Sequence, residues 1–202
     1  SVSSEDAALL DPFCVGLHAV HDTGPGKSVV IIGSGTVGLC AVACARALGA
    51  TKRLAADIKD NHLALARKFG ADVTVNAGRE NLKQAVMEFT AGLGAWLVAD
   101  SAGMAIAEML PLVIRGGRLA LLAVKDKPES LSPMLLAGER KVMTSANFDY
   151  PEFTQGLAML ESGRVRLGDL ITHRFPIERG VEAFRVAGSK DGGAVKVMIK
   201  AA

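Results

Sequence analysis

The sequence predicts an α/β fold, a doubly wound six-stranded parallel sheet followed by a C-terminal tail of different texture. Three observations carry this. Short uncharged, β-branched runs alternate with helix-length segments between residues 28 and 161. Glycine marks most of the joints, and 22 glycines against 4% aromatics suit helices lying close on a sheet and backbone held near a ligand. Half of the residues are hydrophobic, enough to cover a parallel sheet on both faces.

The elements follow in order. Residues 4–20 read as one helix, with Ala7, Ala8, Leu9, Val15, Leu17 and Ala19 as helix formers or core fillers, closed by Gly24-Pro25-Gly26. Residues 28–32 read as a buried strand and 36–48 as a helix stopped by Gly49. A short strand at 54–56 ends at Asp57, and a helix at 60–69 is capped by Asp60 and stopped by Gly70. A strand at 73–75, a helix at 81–89 and a strand at 95–99 come next, with Trp96 as core in or beside that fourth strand. The pattern then predicts a helix at 104–114 stopped by Gly116-Gly117, a strand at 118–124, a helix at 133–138, a strand at 141–145 and a helix at 151–161. After about Leu167 the texture changes to a strand at 171–175, a helix near 178–187 and a strand near 194–199. The expected organisation is a connecting helix over 1–25, a ligand-binding domain over 26–166 and a C-terminal segment over 167–202.

Composition narrows the function. The net charge is +2 with acids and bases interspersed and no basic run, so nucleic acid is not an expected partner. No apolar run is long enough to span a bilayer, and no basic segment followed by an apolar core opens the chain, so neither a membrane nor a leader is expected. Cys14, Cys40 and Cys44 form an odd, scattered set, which points to a reducing, cytoplasmic setting. Cys40 and Cys44, one helical turn apart, read as small apolar residues on a buried face. The first residue is Ser, which suggests processing or a piece of a longer chain.

The sharpest signal is Gly33-Ser34-Gly35-Thr36-Val37-Gly38. It follows a predicted strand and opens a predicted helix, the context of a dinucleotide-binding turn. Gly33 allows the tight turn, Gly35 lets a diphosphate approach the backbone, and Gly38 lets helix and strand pack closely. The helix start offers the N–H groups of Thr36 and Val37 and about half a positive charge. Asp57 lies 19 residues past Gly38, at the tip of the second strand. There a carboxylate takes both hydroxyls of the adenosine ribose. A 2′-phosphate about 4 Å away would meet repulsion on the order of 4 kcal/mol at an effective dielectric of 20, so NAD is expected over NADP. Lys59 and Arg53 are close enough in sequence to soften this. By position beside the later strand ends, Ile58, Ser101, Ala102, Val124 and Asn147 are further cofactor-facing candidates. Trp96 is a candidate fluorescent reporter of cofactor binding.

Taken together, Gly26-Lys27-Ser28-Val29-Val30-Ile31-Ile32-Gly33-Ser34-Gly35-Thr36-Val37-Gly38-Leu39, Ala45-Arg46-Ala47-Leu48-Gly49-Ala50, Arg115-Gly116-Gly117-Arg118 and the tail Leu170-Ile171-Thr172-His173-Arg174-Phe175-Pro176 resemble the cofactor domain of zinc-containing medium-chain alcohol and polyol dehydrogenases. The opening Asp11-Pro12-Phe13-Cys14-Val15-Gly16-Leu17-His18-Ala19 resembles the sorbitol and threonine dehydrogenase branch. The resemblance implies a Rossmann domain, NAD or NADP as cofactor, a small alcohol as substrate and a homodimer or homotetramer. It also implies that the strand near 118–124 joins the dimer contact and that the tail returns to a catalytic domain.

The sequence departs from the family in lacking a Gly-His-Glu segment and any C-x-x-C pair. Zinc is therefore expected only in a catalytic domain outside this chain, and the chain alone is expected to be inactive. Asp11 stands where the family places an acidic residue beside the zinc. Asp11, Cys14, His18 and His21 share one helical face, but a single straight helix does not wrap four ligands around one ion, so no metal is expected within the chain. His62 and His173 read as surface or packing residues. Two other readings stay open: a non-catalytic NAD-binding regulatory module, and the cofactor domain of a zinc-free quinone or enoyl reductase.

Overall fold

The computed structural model describes residues 1–123, 125–189 and 193–201. Six strands, β1 (Ser28–Ile32), β2 (Lys52–Asp57), β3 (Val73–Asn76), β4 (Ala95–Asp100), β5 (Val113–Leu121) and β6 (Lys141–Thr144), pair in parallel in the order β3-β2-β1-β4-β5-β6. This is the doubly wound Rossmann sheet, and its order reverses between β1 and β4. Successive strand residues point to opposite faces. Val29 and Ile31 accordingly enter one core, and Val30 and Ile32 enter the other. Both faces are covered, which is why β1 is apolar and buried from Val29 to Ile32.

The first core holds α2 (Leu10–Val20), α3 (Thr36–Ala47), the buried side of α4 (Asp60–Phe69) and α7 (Tyr150–Glu161). The second holds α5 (Leu82–Phe89) and α6 (Ile106–Met109). All three thiols are buried in the first core, and burial pushes Cys14 up to about 11 and Cys40 and Cys44 further. They pack as small apolar groups. Among the described residues no helix is long and apolar enough to cross a membrane.

Helix α2 lies unusually close to α3. A β-carbon on Gly16 would stand 2.7 Å from the Ala41 backbone nitrogen and 2.9 Å from the Cys40 carbonyl carbon. Backbone does not rotate away as a side chain does, so Gly16→Val must part the helices. Overpacking of this kind costs about 1–3 kcal/mol. A melting temperature lowered by about 2–12 °C is expected, at about 2–4 °C per kcal/mol for a chain of this size. Gly24→Ala, whose β-carbon meets only the Leu48 carbonyl oxygen at 3.7 Å, is the matched control and should melt unchanged.

The elements differ from the sequence expectation at two prolines. Residues 4–20 are two helices, α1 (Ser4–Ala8) and α2, broken at Leu9. Pro12 has no N–H for the Ala8 carbonyl, and its ring would crowd that oxygen in a continuous helix. The helix expected at 104–114 ends as α6, continues as a 3-10 turn over Leu110–Leu112, and gives way to β5 at Val113. Pro111 has the same effect there. Gly116-Gly117, expected to stop that helix, instead lies inside β5 beside a register shift against β4. The helix expected at 133–138 is a 3-10 turn over Pro133–Leu136.

The tail forms its own two-stranded parallel sheet, β7 (Ile171–Pro176) and β8 (Lys196–Lys200), with α8 (Gly180–Gly188) between. It is tied back to the main body by polar contacts. Arg174 pairs with Glu5 at 2.7 Å, Lys68 with Asp169 at 2.7 Å, and the Thr36 hydroxyl donates to the Val195 carbonyl at 2.9 Å. Ile177, Val181 and Phe184 leave an exposed apolar face. The strand that the resemblance places in a dimer contact, 118–124, is largely β5. It is hydrogen-bonded to β4 and β6 on its two sides, and β3 and β6 are the outer strands of the sheet.

Candidate functional site

The site is built outward from the end of β1. Gly33 turns the chain at φ +89°, a left-handed conformation that side chains disfavour, and its N–H donates to Ala56 at 2.8 Å. Gly38 faces back across the turn, and a β-carbon there would fall 1.8 Å from the Gly33 carbonyl oxygen. Gly35 is different: its β-carbon would meet nothing within 4 Å. It stands at the N-cap of α3 without any side-chain cap, so the first N–H groups of the helix have no intrahelical partner. A rigid corner, an unblocked approach and unpaired donors make a cradle that fits a diphosphate. Thr36 and Val37, both half-buried, open the helix as the sequence predicts.

Asp57 ends β2 directly against this corner. Its carboxylate accepts the Ser34 N–H at 2.7 Å on one oxygen and the Lys59 N–H at 2.9 Å on the other. The His62 ring nitrogen Nδ1 stands 3.3 Å from the first of these oxygens. Two backbone donors therefore fix the group at the strand tip, and the Oδ1 oxygen keeps acceptor capacity. Ile58 beside it is 68% exposed, an apolar surface at the rim. His62, read from sequence as a surface or packing residue, is buried against Asp57, and its Nε2 has no partner among the described residues.

Two neighbours are placed otherwise than expected. Asp60 does not cap α4. The N-cap is Lys59, and the Asp60 carboxylate takes Asn76 at 2.9 Å and Arg79 at 2.7 and 2.8 Å. Arg53 sits near the opposite end of β2, bound to Asp72 and to the Gly70 and Ala50 carbonyls, and does not soften the field at Asp57.

Across the order reversal, Ser101 holds the turn instead of facing outward. Its hydroxyl lies 2.9 Å from the Gly33 carbonyl oxygen and 3.1 Å from that of Ile32. Ala102 is exposed beside it. The residue that shapes this loop is Asp100, whose buried carboxylate gathers the N–H groups of Ala102, Gly103 and Met104 at 3.0, 2.9 and 3.3 Å. An aspartate at a strand end followed by Ser-Ala-Gly is a readable sign of such a turn. Val124 lies outside the described residues. A cleft of about 460 Å³ runs along the ends of β5 and β6, lined by Ile106, Leu122, Ala123, Lys125, Thr144 and Ser145, among others. Asn147, left-handed at φ +59° and exposed, is not in that lining; Ser145 is, and its buried hydroxyl has no partner among the described residues. Trp96 lies at the opposite, amino end of β4 under the Lys27 ammonium at 3.0 Å.

Asp11 is exposed in the first turn of α2. Among the described residues it shares no three-ligand group with other His, Cys, Asp or Glu side chains. Cys14 is buried under α7, where a β-carbon on Gly156 would reach its sulfur at 2.8 Å, and does not join Asp11 on an open face.

Comparison with known proteins agrees with this architecture. The chain is 31% identical over 207 residues to sorbitol dehydrogenase of Bos taurus, spanning 99% of this chain and 57% of that protein. It is 31% identical over 204 residues to sorbitol dehydrogenase of Bacillus subtilis, spanning 98% and 58%. Alcohol dehydrogenase TADH from Thermus sp. ATN1 superposes with a TM-score of 0.91 at 28% identity, over 100% of this chain and 59% of that one. An Escherichia coli oxidoreductase/dehydrogenase of unknown specificity gives 0.94 at 26% identity, over 100% and 59%. This chain thus spans 57–58% of the length of the curated relatives it matches. The family described as zinc-binding dehydrogenase matches residues 36–162, more than half of the chain. With that match and the glycine corner that opens it, the chain belongs to the zinc-binding dehydrogenase family.

Proposed function

We propose that this chain is the NAD(H)-binding part of a zinc-dependent alcohol or polyol dehydrogenase, one that moves a hydride from a small secondary or primary alcohol to NAD. The observation that carries the reading is the Asp57 carboxylate held 2.7 Å from the Ser34 N–H, so that one dinucleotide can meet both the glycine corner and the ribose acceptor. Bound NAD supplies the hydride acceptor. Around it, Gly33 and Gly38 fix the turn, Gly35 leaves room, Thr36 and Val37 present N–H groups, and Asp57 takes the ribose. Ile58, Ala102 and the cleft at Leu122, Ala123 and Ser145 complete the surface along which the remainder of the dinucleotide lies; Asn147 stays as a candidate at its far end, and Val124 as one outside the described residues. Ser101 and Asp100 keep that surface rigid.

The zinc implied by the family is, in this reading, held by a catalytic domain outside these 202 residues, with Asp11 beside it. The exposed apolar face of Ile177, Val181 and Phe184 supports a tail that packs on such a domain. The chain by itself is inactive, the organisation of 1–25, 26–166 and 167–202 is that of connector, cofactor domain and returning segment, and the assembled enzyme is a cytoplasmic homodimer or homotetramer. Titration calorimetry of the 202-residue chain tests the cofactor reading. One NAD per chain is expected, with NADP at least about tenfold weaker from charge repulsion at Asp57. Absence of NAD binding would end the reading. NADP binding as well as NAD would return the zinc-free reductase alternative.

A further inference from the structure

Helices α2 and α7 bring together three side chains that no part of the cofactor site uses. His18 lies in the last turn of α2, His21 follows one turn on at its C-cap, and Glu152 stands in the first turn of α7. The His18 Nδ1 atom is 2.8 Å from each Glu152 oxygen, and the His21 Nδ1 atom is 3.8 Å from Oε1. The two imidazoles stack with centroids 5.6 Å apart. One ligand atom from each of the three residues lies within 4.8 Å of the other two, and among the described residues no other three His, Cys, Asp or Glu side chains converge in this way.

We propose that His18, His21 and Glu152 bind one divalent transition-metal ion of the zinc class. Bonds to zinc run about 2.0–2.2 Å, so two ligand atoms of a tetrahedral set stand about 3.3–3.6 Å apart. Measured from Glu152 Oε1, His18 Nδ1 at 2.8 Å and His21 Nδ1 at 3.8 Å lie on either side of that span. Two imidazoles and one carboxylate suit zinc, nickel or copper, whereas magnesium and calcium favour oxygen alone. The pocket is prepared for a cation, because the Glu152 carboxylate faces both imidazole rings. Glu152 is also anchored, because its Oε2 accepts the Asp149 N–H at 2.9 Å in a capping box. His21 Nδ1 donates to the His18 carbonyl oxygen at 2.6 Å, which keeps its ring beside that of His18; the ion displaces this bond, since a ring nitrogen that carries the proton has no lone pair for a metal. The nearby Asp22 carboxylate is engaged by Arg118 and does not enter the group. His18 and His21 are 28% and 41% exposed, so an ion reaches the site from solvent and keeps water on its remaining positions.

The ion takes the place of the hydrogen bond between His18 and Glu152. It ties α2 to α7 across 134 residues of sequence. Binding of this kind raises thermal stability by mass action, because the three ligands are together only in the folded chain.

Zinc chloride titrated into the full chain, in a buffer that does not bind metal, tests this. One saturable equivalent of zinc is expected, with a melting temperature that rises with zinc concentration. His18→Gln and His21→Gln should each weaken zinc at least tenfold and remove the melting shift, while His173→Gln, on the exposed tail, leaves both unchanged. If His18→Gln loses its fold, the solvent-exposed His21→Gln decides the matter alone. Absence of a saturable equivalent, or zinc binding that survives His21→Gln undiminished, overturns the proposal.

Discussion

Gly38→Ala is expected to abolish measurable NAD binding and to lower the melting temperature by about 6–12 °C. The new β-carbon would lie 1.8 Å from the Gly33 carbonyl oxygen, 2.9 Å from its carbon and 3.1 Å from the Ser101 hydroxyl. The first two are backbone atoms of the turn itself, so α3 has to lift away from β1 and carry its N–H groups with it. Overpacking that moves backbone costs about 3 kcal/mol, at the upper end of the usual range. A chain of this length loses about 2–4 °C per kcal/mol. Hydrogen bonds to a charged group are worth about 1.5–3 kcal/mol each, so misplacing the Thr36 and Val37 donors weakens NAD by about a hundredfold or more. Gly35→Ala separates folding from binding. Its β-carbon meets no protein atom within 4 Å, so the melting temperature stays put, yet it projects into the space a diphosphate needs. A Gly35→Ala chain that binds NAD normally would mean the ligand does not sit on this corner.

The second large effect belongs to Asp57. Asp57→Ala should weaken NAD by about 1.5–3 kcal/mol, the value of hydrogen bonds to a carboxylate. It should weaken NADP less, because the same change removes the repulsion of a 2′-phosphate. The substitution also strips the Ser34 and Lys59 N–H groups of their acceptor. Asp57→Asn deletes the charge and keeps one of the two acceptor oxygens, so one of the Ser34 and Lys59 N–H groups stays paired and a smaller folding defect than in the Ala variant is expected beside the loss of discrimination. Competitive titration with both cofactors reads the difference directly. Equal losses for NAD and NADP in the Asn variant would remove Asp57 from the ribose role.

How much of this was legible depends on how local each feature is. The β1 strand, the glycine turn, the start of α3 and Asp57 at the tip of β2 are fixed by residues within about one βαβ unit, where spacing and side-chain type suffice. The two helix breaks were written in Pro12 and Pro111, but apolar periodicity across them argues for continuity, and only the missing N–H decides against it. Gly116-Gly117 reads as punctuation from sequence, although in the sheet it is part of a long strand whose register shifts. The use of Ser101 as a strut, the buried hydroxyl of Ser145, the reach of Thr36 to Val195 and the meeting of His18 with Glu152 join residues far apart in the chain. No local pattern announces such pairs, because they depend on how helices and the tail settle on the finished sheet.

A crystal structure of the chain with NAD bears most directly on the central claim. The account predicts the diphosphate on the N–H groups of Thr36 and Val37 above Gly35, with the adenosine ribose hydroxyls within hydrogen-bonding distance of the Asp57 carboxylate. A dinucleotide bound elsewhere on the chain, or lying along the cleft with its ribose turned away from Asp57, would contradict it.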